Sequence, residues 1–365
     1  MSSEKPKEIK VIRWLLRFPL QEQIMFTKRL SLLVKASVPL LQALDMLHHQ
    51  TSSKGVKYIF KNLASGVERG QSLSATLRLK FNKLVGEFVI NIIEVGEVSG
   101  TLQENLNYLS DELQKKQALR RKIVNAMVYP VFIIVATVGI TILLTVFVFP
   151  KILPIFKSFP DFQLPITTRA LIFVSHGFLS YWYIILGAAV GVVVGFLLGM
   201  RTKLFRRFVH RNVLRIPVLG VLLKSYYLAN ICRTFGVLLR SNVPILKAVR
   251  ITAEATTNVY YREKLNESAE YVQRGGRLSE IMQTDPKIFP SIAAQMVQVG
   301  ETTGSLSNSL MFLSELYENE VDDQTKNLSS VMEPALMVFI GLLVGFVAIS
   351  IITPIYSFTQ NLHPK

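Results

Sequence analysis

The octapeptide VGEVSGTL at residues 95–102 returns as VGETTGSL at residues 299–306, and this second appearance decides how the whole chain is read. Working outward at an offset of 205, LSLLVKASVPLLQAL (30–44) meets FGVLLRSNVPILKAV (235–249), which places Pro39 on Pro244. Gly70, Leu73 and Ser74 fall on Gly275, Leu278 and Ser279; one residue is then lost, and at an offset of 204 Pro130 lands on Pro334 and Pro150 on Pro354. Such an ordered series marks a tandem duplication. The chain is expected to hold two copies of one module.

Composition locates the rest. Half of the 365 residues are hydrophobic and mean hydropathy is +0.35, high for a soluble protein. The surplus lies in three stretches without Asp, Glu, Lys or Arg: 126–149, 170–200 and 334–364. A helix rising about 1.5 Å per residue crosses a hydrocarbon core of about 30 Å with roughly 20 apolar residues, so each stretch suffices. Membrane helices are expected at 126–149, 177–200 and 331–356. The first and third belong to the two copies, and the middle one returns the chain so that both bundles, 1–125 and 201–330, lie on one side.

Charge sets the expected orientation. Residues 1–125 carry 20 Lys and Arg against 11 Asp and Glu, and 201–330 carry 17 against 12. The intervening loop, 150–176, holds only Lys151, Lys157 and Arg169, while Arg201, Lys203, Arg206, Arg207, Arg211 and Arg215 follow the second stretch directly. The positive-inside rule then puts both bundles and the amino terminus in the cytoplasm, and the loop and the tail, 357–365, outside. Residues 1–17 never reach a sustained apolar run, so no cleavable signal peptide is expected. The formal charge of +16 concentrates beside the spans, which suits anionic lipid and not nucleic acid. Cys232 is the only cysteine, and an intramolecular disulfide is excluded.

Within each copy the apolar spacing is helical. Ile24, Leu30, Leu33, Val34, Leu40, Leu41, Leu44 and Leu47 recur at three and four residues, which predicts helices at 21–36, 39–50, 55–69, 72–79, 83–98 and 102–125. The fold class is thus all-α, with about six helices per bundle. Pro39 and Pro244 open the second helix of each copy. In the repeated corner, Gly96, Glu97 and Gly100 match Gly300, Glu301 and Gly304; the last glycine of each set suits a left-handed helix end. Turn chemistry does not require the glutamates. Two readings stand: a carboxylate that bonds amides and fixes the corner, or matched acidic groups presented to an assembly protein or a neighbouring subunit.

The duplicated Val-Pro-Leu/Ile-Leu, the Leu-Ser segment after Gly70 and Gly275, the V-G-E-x-x-G-x-L corner, and spans opening at Tyr129-Pro130 and Glu333-Pro334 resemble the type II secretion F-protein and type IV pilus platform family, from about Gln21 to Phe358. The resemblance implies an inner-membrane platform that binds a cytoplasmic hexameric ATPase, forms a homo-oligomer, works with other inner-membrane assembly proteins, and helps lift pilin or pseudopilin subunits into a filament. The amino-terminal arm is shorter here than in some relatives.

The copies differ in charge. Lys115, Lys116, Arg120, Arg121 and Lys122 precede the first span, whereas Glu315, Glu318, Glu320, Asp322 and Asp323 precede the third. They are either solvated faces or complementary partners, within a chain or between subunits. An enzyme is not expected: there is no G-x-x-x-x-G-K-[S/T] loop, and the adjacent His48 and His49 cannot share a helix face as zinc ligands do. No cofactor or metal is expected. The rival reading is an oligomeric transporter or channel subunit, for which Glu333 at the start of the third span is the single candidate ionisable group.

Overall fold

The computed structural model describes residues 16–148, 150–151, 166–216 and 219–361. Residues 152–165 of the expected external loop, the first fifteen residues and the end of the tail lie outside the described residues. All regular elements among the described residues are helical. Copy 1 comprises α1 (Leu20–Lys35), α2 (Leu40–Gln50), α3 (Lys54–Glu68), α4 (Leu73–Val85), α5 (Glu87–Ser99) and α6 (Leu102–Leu143), the last running into a π-helical turn at Leu144–Val148. Then come α7 (Ile166–Gly199) and the short α8 (Lys203–Val213). Copy 2 comprises α9 (Leu219–Arg240), α10 (Ile245–Ala255), α11 (Val259–Gln273), α12 (Leu278–Gln283), α13 (Ser291–Thr303) and α14 (Leu306–Asn361).

Local chemistry sets these boundaries in parallel. Ser37 and Asn242 take φ of 59° and 58°, the amides of Val38 and Val243 bond back to Leu33 and Leu238, and Pro39 and Pro244 then cap the next helix with φ of −55° and −54°. One expected boundary moves. The break between the fourth and fifth helices lies at Gly86, φ 85°, and not near residue 81, because that glycine supplies the conformation the reversal needs. In copy 2 the matching helix α12 stops after six residues, since Pro286 and Pro290 cannot continue it.

The chain divides into two compact units. The first gathers the segment up to Arg121 with His210–Asp322, so both bundles belong to one body. Its core includes Leu30, Leu44, Ile59, Leu63, Ile90 and Ile93 from copy 1, and Val237, Leu238, Val249, Tyr261, Val297 and Leu313 from copy 2, all essentially inaccessible. α5 packs against α9 and α10, and the Lys247 ammonium lies 3.5 Å from Glu94 across that seam. Deeper, the Arg233 guanidinium of α9 donates to Glu112 of α6 at 2.9 Å and to Glu318 of α14. Arg233 and Glu112 are 6% and 3% exposed, so the pair is dry. Burial works against the Arg233 charge, but the hydrogen bond and field of Glu112, then Glu318, outweigh it and raise its pKa.

The second unit, Lys122–Val209 with the chain from Asp323 onward, holds the apolar helices. Leu102–Phe147 and Leu306–Ser350 are each long and apolar enough to cross a membrane. Within α7, Tyr181 leaves helical geometry at φ −120°, ψ 19°. The buried hydroxyls of Thr168 and Ser175 on α7 donate to the carbonyls of Ser350 and Thr145, each at 2.8 Å, tying α7 to both neighbours. Hydroxyl-to-carbonyl bonds of this kind replace the hydrophobic effect between helices in lipid.

The dry ion pair sets a first test. Removing one partner of a buried pair strands the other charge, so Arg233→Met is expected to destabilise the chain by about 3–5 kcal/mol. A lower unfolding temperature in detergent, recovered when Glu112→Leu and Glu318→Leu are added, is the expected result; an unchanged temperature would show that the pair does not hold the bundles together.

Candidate functional site

The duplicated corner is where sequence and geometry meet most closely. Each of its three fixed residues has a separate task. At Gly96 an added Cβ would lie 2.9 Å from the Leu102 Cα, and at Gly300 2.8 Å from the Leu306 Cα; glycine therefore lets α5 approach α6, and α13 approach α14. Gly100 and Gly304 end α5 and α13 in the left-handed region, φ 71° and 69°. Between them, the glutamates reach across to a third helix.

The Glu97 carboxylate accepts from the Leu73 amide at 2.5 Å, the Ser74 amide at 3.0 Å and the Ser74 hydroxyl. Glu301 repeats the pattern with the Leu278 amide at 2.7 Å, the Ser279 amide at 3.2 Å and the Ser279 hydroxyl at 2.5 Å. These amides open α4 and α12, where the first turn has no intrahelical partner and the helix dipole is positive. Neither a shorter Asp nor a neutral Gln would supply both the reach and two accepting oxygens. The alignment of Gly70, Leu73 and Ser74 with their counterparts is thereby explained: the serine is the glutamate's partner.

The charged runs find other partners. Glu318 is held by Arg233, Glu320 accepts from the Ser225 hydroxyl at 2.9 Å, Asp323 lies 4.0 Å from Lys326, and Arg121 donates to the Gln21 amide oxygen at 3.1 Å. Arg120 acts electrostatically on Tyr226. Lys122 and Asp322 fall on the two sides of the unit boundary. Pro130 and Pro334 stand inside α6 and α14 rather than at their ends, and Glu333 is exposed on α14.

Sequence patterning missed a small pocket of the first unit. Lys116 of α6 faces a cavity of about 50 Å³ walled by Tyr226, Tyr227, Asn230 and Thr234 of α9 and by Thr256 and Thr257. Burial lowers the Lys116 pKa, and no acidic residue pairs with it among the described residues. A lysine in an acid-free run of bases reads as solvated, so only the fold reveals it.

Two tests follow from this geometry. Glu97→Ala and Glu301→Ala remove a helix cap and are each expected to cost about 1–2 kcal/mol, and Gly300→Ala about 1–3 kcal/mol by overpacking, all read as unfolding temperature in detergent. For Lys116 the sign runs oppositely: a depressed lysine pKa lowers stability below that pKa, and the loss fades as pH rises towards 10.5. Lys116→Met is expected to stabilise the chain near pH 7, with the gain shrinking towards pH 10; a pH-independent gain would point to packing instead.

Comparison with known proteins places this architecture. The family described as "Type II secretion system (T2SS), protein F" matches residues 26–150 and again 231–354, two segments that start 205 and end 204 residues apart, as the repeat does. The Myxococcus xanthus type IV pilus assembly protein PilC is 33% identical, over 92% of this chain and 79% of its own length. Thermus thermophilus PilC is 31% identical, over 94% and 84%, and the Pseudomonas aeruginosa type II secretion system protein F is 30% identical, over 92% and 82%. With a family match over both copies and relatives aligned along nearly its whole length, the chain belongs to the type II secretion system protein F family.

Proposed function

We propose that the protein is the inner-membrane platform of a type IV pilus or type II secretion machine, coupling a cytoplasmic hexameric ATPase to the insertion of pilin or pseudopilin subunits into a filament. The role is structural, not enzymatic. Both bundles and the amino terminus lie in the cytoplasm in this reading, α6, α7 and α14 supply three spans, and the carboxyl terminus is external. The chain works as a homo-oligomer beside other inner-membrane assembly proteins.

One observation carries the reading. Each copy ends in a single helix, α6 or α14, that begins in a buried bundle and continues into an apolar stretch long enough to cross a membrane. Leu106, Leu109 and Leu113 of α6, and Leu310, Leu313 and Tyr317 of α14, are locked in the bundle core. A load on the bundle is therefore delivered to the start of the apolar stretch without an intervening loop. The relatives' names supply the machine in which such a part is used.

A flexible Gly-Ser insertion between Lys122 and Asn125 breaks α6 while leaving the bundle core whole. Filament growth or secretion is expected to stop, with expression and recovery of the ATPase in affinity co-purification retained; normal growth would refute coupling through α6. Tagged wild-type protein solubilised from its host is expected to bring down the ATPase and pilin-like proteins. Recovery of a solute-binding protein in their place would favour the transporter reading.

A further inference from the structure

The turn after α7 is built, not frayed. Leu186–Gly199 and α8 meet at 103° across Met200–Thr202. An added Cβ at Gly199 would lie 2.8 Å from the Phe205 ring, and that ring meets Phe196 edge-on with centroids 5.9 Å apart. The Thr202 hydroxyl donates to the Gly199 carbonyl at 2.8 Å. The first turn of α8 is thus folded back on the end of α7, and glycine is required at the corner.

α8 has two chemically distinct faces. At 100° per residue, Leu204, Phe205, Phe208 and Val209 fall on one side, and Lys203, Arg206, Arg207, His210 and Arg211 on the other. Leu204 is 83% exposed and Phe208 65%. Its last turn is fixed: His210 Nδ1 accepts from the Val259 amide at 3.0 Å, and the Arg211 guanidinium lies 5.6 Å from the Tyr260 ring centre. No acidic residue occurs in the sequence between Asp161 and Glu254.

We propose that α8 is an interfacial anchor, with Leu204 and Phe208 dipped into the acyl boundary and Lys203, Arg206 and Arg207 set against anionic phospholipid headgroups. Continuity selects this occupant. α7 is an apolar helix, and a near-right-angle bend at the end of a membrane-spanning helix lays the next helix along the bilayer surface. There its apolar side meets lipid and its cations meet phosphate. A protein partner would need to cover two large apolar side chains and offer acidic groups at the same depth. The proposal rests on α7 being a membrane helix and is independent of filament assembly, so loss of co-purifying ATPase leaves it standing.

The buried Cys232 makes the test clean, because burial pushes its thiol up to about 12 and out of reach of labelling reagents. Full-length Phe208→Cys, labelled with an environment-sensitive fluorophore, is reconstituted in phosphatidylcholine vesicles with and without phosphatidylglycerol, using acyl-brominated lipid as quencher. Leu79→Cys, at an exposed position of α4, is the control, and gel filtration checks folding. The expected result is bromolipid quenching at position 208 at least about twofold stronger with phosphatidylglycerol, weakened by Lys203→Gln/Arg206→Gln/Arg207→Gln, and none at position 79. Equal quenching without phosphatidylglycerol would overturn the anionic preference. A water-exposed label in both vesicles, or a signal that follows protein density instead of bromolipid, would overturn the anchor and point to solvent or a second copy.

Discussion

A carboxylate placed on the open first turn of a neighbouring helix is the contact on which each copy is organised. Glu97 joins α5 to the start of α4, Gly96 brings α5 against α6, and Gly100 turns the chain between them. The three residues fix three helices within one short peptide. The helix that this corner opens, α6, continues without a break into the apolar stretch. Copy 2 repeats the whole device with Glu301, Gly300 and Gly304. A charge-assisted cap is stronger than a neutral one and, half-shielded from solvent, is weakly screened.

Duplication supplies the plan, and divergence turns two copies into one body. Ser31 on α1 donates to the Gln103 carbonyl, while at the equivalent contact in copy 2 the donor is Ser307 on the other helix, giving to the Gly236 carbonyl. The bond survives with its polarity reversed. Lys28 and Arg233 also occupy equivalent positions, yet Lys28 reaches Asn107 and Asp111 within its own copy, and Arg233 joins Glu318 of its own copy to Glu112 of the other. The planar arginine fork, with donors fixed in direction, reaches both carboxylates at once. The bridge needs more than that exchange, since Glu318 stands where copy 1 has Gln114 and Glu112 stands where copy 2 has Leu316.

Much of this was legible because it rests on local rules. The helix ends at Gly70, Gly100 and Gly304, the prolines opening α2 and α10, and the apolar stretches all follow from residue type and spacing. The repeat register was legible too, since motif order survives drift that erases overall identity. The partners of the charged runs were not. Glu318 and Arg233 are 85 residues apart and Glu112 and Arg233 are 121 apart, and nothing in charge pattern alone distinguishes a buried bridge from a solvated face. The same holds for the corner glutamates, whose partners, the amides of Leu73 and Leu278, lie more than twenty residues away in sequence.

Pro130 inside α6 and Pro334 inside α14 have a shared physical consequence. Each lacks an amide proton, so the carbonyl four residues earlier, Ala126 or Ser330, loses its helical donor, and the helix resists bending least at that point. In both copies that point stands within a few residues of the start of the charge-free stretch. Below it the helix is clamped by core leucines; above it most side chains face outward, as they would towards lipid. In the proposed coupling role, a displacement of the bundle would be resolved into a change of helix direction at Pro130 and Pro334. In that role, equivalent points in the two copies would let one body act on two membrane helices at once, which a single-copy module could not do.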